Sequence, residues 1–223
     1  MKRKLKWCLV FVLLLAAIGV SRKLSQGVVS TDVEESEITV VIDPGHGGKD
    51  PGKVGVNDAL EKDINLQIAQ KVKINLEKQK IKVIMTRESD TSEDSKLADM
   101  KKRVEQINTT KPELVVSIHQ NSYSQANIKG AQVFYFTHSE VSKNAAVCMQ
   151  EELRKVDSTN EREVKGNDTF YLLKKTEIPA IIVECGFLSN AEEAEKLVSE
   201  SYQQELADAI CNGILKWLTQ SNS

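Results

Sequence analysis

The stretch "ELVVSIH" (Glu113 to His119) carries no alternation of apolar and polar residues and ends on a histidine. A short apolar run of this kind reads as a strand buried on both faces. Two more stretches have the same form. "VVID" (Val40 to Asp43) leads through Pro44 and Gly45 to His46, and "AIIV" (Ala180 to Val183) leads to Glu184. The segments between them are helical in period. Leu60 to Gln79 places Leu60, Ile64, Ile68, Val72 and Leu76 at i+4 spacing, and further helices are expected at 97–108, 142–156 and along the last stretch to Leu218. "IKVIMTR" and "GAQVFYFTH" read as additional strands. Strands alternating with helices predict an α/β domain of three layers, with a mostly parallel or mixed sheet between helices. Ligands of such sheets gather at the carboxyl ends of the strands. If the three runs are parallel, His46, His119 and Glu184 emerge on one edge.

The composition narrows the setting. The chain has 223 residues, a net charge of -2 and 28% charged residues, which excludes a nucleic-acid footprint. The basic cluster "MKRKLK" precedes the apolar stretch Trp7 to Val20, which is 14 residues long. A membrane span needs about 20 residues, so the length fits a signal peptide better than a short anchor, the other reading of the same segment. Residues 1–22 are therefore expected to export the protein, 23–37 to form a polar linker, and 38–220 to form the working domain. Cys148, Cys185 and Cys211 include no C-x-x-C pair and read as small buried hydrophobes rather than as a disulfide framework.

His46 stands in "DPGHGGKDPG". This is not a phosphate loop, because Asp50 rather than Ser or Thr follows Lys49, and the G-x-G-x-x-G spacing fails at its third glycine. Two histidines and carboxylates around one cleft suit a catalytic zinc with three protein ligands and one open position. Glu61, at the start of the first helix, is the natural third ligand, with Asp43, Asp50, Asp58 and Asp63 competing on composition. Glu184 would stay free of the metal as general base. The plainer reading of a histidine at a strand end, a hydrogen-bonding residue, is kept for His138.

Four motifs in order, "DPGHGG", "EKDINL", "SIHQN" and "ECGFLSN", resemble those of the zinc-dependent N-acetylmuramoyl-L-alanine amidases, from about Ile38 to Leu218. The resemblance implies a sheet of about six strands, Zn2+ held by His46, Glu61 and His119, and Glu184 as catalytic glutamate. It implies hydrolysis of the amide joining the lactyl group of N-acetylmuramic acid to L-alanine of the stem peptide. Asn121, Arg87 and Arg103 are candidate substrate contacts, and Cys185 is expected to pack away from Glu184. A leader followed by a bare catalytic domain resembles the germination-specific amidases of spore-forming bacteria, which act on spore cortex so that muramic lactam can form. The expected partner is peptidoglycan, in the cell wall or around the forespore membrane, with an activating protein as a further expectation and the membrane met only through the leader. The rival expectations are an exported zinc peptidase acting within the stem peptide and a wall-binding protein without catalysis.

Overall fold

The computed structural model describes residues 38–221. The expected leader (1–22) and linker (23–37) lie outside the described residues. Among the described residues, no helix is long and apolar enough to cross a membrane.

Six strands form one sheet: β1 (Thr39–Pro44), β2 (Lys82–Met85), β3 (Leu114–Asn121), β4 (Gln132–Phe136), β5 (Lys165–Asn167) and β6 (Ala180–Phe187). Their spatial order is β2-β1-β3-β6-β4-β5. β2, β1, β3 and β6 are mutually parallel, while β4 runs antiparallel to β6 and carries β5 parallel to itself. The sheet is thus mixed, with its three apolar runs adjacent at the centre. Six helices connect and cover it: α1 (Glu61–Lys78), α2 (Lys96–Thr110), α3 (Glu140–Val156), α4 (Tyr171–Lys175), α5 (Ala191–Leu197) and α6 (Glu200–Ser221). Side chains accept from open backbone N–H groups at three helix starts: Ser95 from Ala98, Ser139 from Ser142, and Asn190 from Glu193.

Because successive strand residues point to opposite faces, each central strand contributes to two cores. Val40, Ile42, Val116, Ile118, Ile181 and Val183 pack with α1, α3 and α6. Val41, Val115 and Ile182 pack on the other face with Ile107 of α2 and Leu172 and Leu173 of α4. The i+4 stripe Ile64, Ile68, Val72 and Leu76 is buried, as the period requires. Cys148, Cys185 and Cys211 are all buried free thiols. Cys185 belongs to the α1 face, and burial pushes its thiol far up. It therefore packs, on the side of β6 away from Glu184.

A candidate metal centre at the strand ends

The parallel pairing puts the chemistry in one place. His119 and Glu184 are direct neighbours in the β3–β6 register, so their side chains rise from the same face. β1 ends beside Ile118, and the chain then turns into the loop that carries His46. His46 has a left-handed backbone, φ 62°, unusual for a residue with a side chain and costing about 1–3 kcal/mol. A Cβ at Gly45 would overlap the His119 ring, so only glycine lets this loop lie against β3. Gly52, at φ 70°, gives Glu61 and His46 the same room.

Glu61, in the first turn of α1, reaches between the two histidines. Its Oε1 lies 3.2 Å from His46 Nε2 and 2.9 Å from His119 Nδ1. One ligand atom from each of His46, Glu61 and His119 falls within 4.8 Å of the others, a set that can hold a metal ion. Two imidazoles and a carboxylate match the donors of three-ligand catalytic metal sites. Burial pushes the Glu61 carboxyl up, but its bonds to both histidines outweigh this and hold it well below the usual carboxylate range. His119 is raised: burial opposes its charge, and Glu61 more than compensates.

The competing carboxylates have other positions. Asp50 accepts from His46 Nδ1 at 2.9 Å, so its role is to orient the ring from behind. Asp43 is buried at the end of β1, paired with Arg103 at 2.7 Å and bonded to Ser117 and Thr86. Asp58 and Asp63 are absent from the cluster. Behind Glu61, the backbone N–H of Gln120 donates to Oε1, and Gln120 Nε2 bonds Asn65, which in turn donates to the Gly45 carbonyl. Glu184 is half-buried beside the cluster, with Oε2 lacking any partner. Burial, reinforced by Glu61 and opposed by His119, pushes its carboxyl up to about 7.

Two of the candidate substrate contacts are drawn into the fold. Arg87 and Arg103 were candidates for substrate carboxylates, yet both are buried, at 6% and 4% exposure. Arg87 donates to the carbonyls of Pro44, Gly45, Lys62 and Ser89. Arg103 binds Asp43 and Asp99 and donates to the carbonyls of Pro44 and His46. Their guanidiniums brace the histidine loop from beneath. Asn121 lines the open cavity of about 440 Å³ next to His46, His119 and Glu184, and the carboxylate-paired Arg103 lines it too. His138 stacks edge-on against Phe136, outside the site.

The Asp43–Arg103 pair has a measurable consequence. Burial alone would raise Asp43; Arg103 and the two hydroxyls outweigh it and hold the carboxyl at about 2. A depressed folded-state pKa stabilises above the unfolded value and is lost as pH falls through the folded one. The contribution is about 2 kcal/mol, whole above about pH 4 and disappearing towards pH 2. In urea unfolding at stepped pH, Asp43→Asn is expected to be less stable than the parent at pH 7, with the gap closing between these limits. A gap that stays constant down to pH 2 would refute the assignment.

The sequence profile of the N-acetylmuramoyl-L-alanine amidases matches residues 40–216. A germination-specific N-acetylmuramoyl-L-alanine amidase of Bacillus subtilis is 35% identical, over 99% of this chain and 98% of its own. Among solved structures, the CwlD amidase of Clostridioides difficile, determined in complex with the GerS lipoprotein, superposes with a TM-score of 0.79. It is 42% identical, over 82% of this chain and 99% of its own. The catalytic domain of CwlV, an amidase of Paenibacillus polymyxa, gives 0.75 at 34% identity, over 82% and 98% of the two chains.

Proposed function

The chain belongs to the N-acetylmuramoyl-L-alanine amidase family and hydrolyses peptidoglycan; we propose that it does so with His46, Glu61 and His119 holding a zinc ion and Glu184 moving the proton. The observation that carries this reading is the geometry: three convergent donor atoms, with a partnerless carboxylate in register beside one of them. A zinc ion bound there would polarise the scissile carbonyl and lower the pKa of the attacking water. Glu184 takes the proton from that water and returns it to the departing alanine nitrogen. Burial raises this carboxyl above the ordinary carboxylate value and so strengthens it as a base towards that water, while the charge of a bound ion would draw it back down. Asp50 fixes the His46 ring, and the Gln120 N–H fixes Glu61, so the donors are aimed before substrate arrives. Asn121, on the cavity wall, is positioned to hydrogen-bond the muramyl peptide.

The basic and apolar pattern of residues 1–22 supports export across the cytoplasmic membrane. Likeness to a germination-specific relative over nearly the full length supports action on spore cortex, in the space around the forespore membrane. The CwlD relative was solved with a lipoprotein. That complex supports a protein partner for this chain as well.

The test is mass spectrometry of peptidoglycan incubated with zinc-supplied protein. Release of intact stem peptides with an L-alanine amino terminus supports the amidase reading. Shorter peptides would convert it to a peptidase, and tight glycan binding without release would leave a wall-binding protein.

A further inference from the structure

The cavity beneath the histidine loop is lined from both layers of the fold. On the α2 and α4 side it is walled by Met100, Phe170, Tyr171 and Leu172. Met100, Phe170 and Leu172 belong to the core of that face. The lining also includes Lys53, in the loop that enters α1. Part of the lining is apolar and aromatic, and part offers a cation.

The cations of this cavity are not equivalent. Arg103 is committed to Asp43 and Asp99. Lys96 lies 3.5 Å from Asp50. Lys53 has no carboxylate at ion-pair distance among the described residues, although its backbone is firmly held. Its N–H donates to Glu61 Oε2 at 2.8 Å, and its carbonyl accepts from the Glu61 N–H at 2.9 Å. An exposed lysine side chain is thus rooted directly beside a candidate metal ligand.

The substrate has two unlike arms on either side of that bond. One is a sugar. The other is a peptide whose second residue, a glutamate joined through its side chain, leaves an α-carboxylate that is either free or amidated. In an extended peptide this group lies on the order of 7 Å from the scissile carbonyl. We propose that Lys53 is a specificity residue whose ammonium pairs with this free α-carboxylate, so that the peptide arm lies over Lys53 and the sugar over Phe170 and Tyr171. The inference rests on the amidase reading and adds the direction in which substrate lies. A lysine acts here as a mobile point charge, suited to a carboxylate on a flexible chain.

The experiment compares two glycan-strand substrates that differ only in carrying glutamate or isoglutamine at the second stem position. With the zinc-supplied protein, kcat/KM is expected to favour the free acid by about tenfold, through KM, and less so at high salt. In Lys53→Met the ratio of the two constants falls to about one; in Lys53→Arg it recovers; in Lys53→Glu it inverts. Because each ratio is taken within one variant, a general loss of activity does not imitate the result. Equal use of both substrates by the parent, or a tenfold preference retained in Lys53→Met, overturns the proposal and leaves the amidase reading intact. Failure of the parent to cut either strand at the muramoyl–alanine bond overturns both.

Discussion

Glu184→Gln is expected to lower kcat about 1000-fold, within the range that a positioned acid–base group contributes, while cation binding is unchanged. The substitution keeps the size of the side chain and removes only its ability to take a proton. Glu184 is not one of the three converging ligands, and its Oε2 makes no hydrogen bond inside the protein that the change would break. Its position opposite His119 is set by the strand register, which an amide preserves. Titration calorimetry with zinc, paired with turnover on peptidoglycan, separates the two effects. A variant that binds zinc and keeps a rate within tenfold of the parent would show that another group carries the proton.

His46→Ala is expected to behave in the opposite way, losing cation binding and turnover together. The ring supplies one of only three donor atoms, and two donors hold a divalent ion poorly against water. The fold should survive, because the carbonyls of residues 44 to 46 stay bonded to Arg87 and Arg103. Asp50→Asn, which weakens only the hold on His46 Nδ1, is expected to fall between the extremes, with affinity reduced about 10- to 100-fold. Circular dichroism and zinc titration of the two variants distinguish a lost ligand from a lost structure. If His46→Ala bound zinc as the parent does, the ligand set would be wrong.

The central strands and the long helices were legible because burial on two faces or on one stripe leaves a pattern in the residues. The same pattern carried the site, since apolar runs interrupted at His119 and Glu184 mark where two parallel strands turn paired polar side chains out of the core, although the strands continue to Asn121 and Phe187. Other parts leave no such mark. β5 has three residues, α4 five and α5 seven, too few to establish any period. The reversal of β4 depends on how its connections cross the sheet, which its own alternation does not record. Asp50 looked like a rival ligand because composition does not distinguish a carboxylate facing a metal from one facing the back of an imidazole. Arg87 and Arg103 looked like substrate contacts for a related reason. A guanidinium that binds backbone carbonyls has no partner visible in the sequence, since every residue has a carbonyl. One signal was available: both follow or sit within apolar segments, "IKVIMTR" and the helix at 97–108, whose neighbours are buried.

Those two arginines have a consequence for the order of events in the life of the protein. Many small metal domains acquire their shape only when the ion arrives, so that apo chains are unfolded and chelators denature them. Here residues 43 to 46, which lead into and include the left-handed histidine, are held by five contacts from buried guanidiniums, none of which requires an ion. Folding and loading are therefore expected to be separable steps. The chain can complete its architecture first and collect its cation afterwards. Scarcity of metal then sets how many molecules are active rather than how many persist.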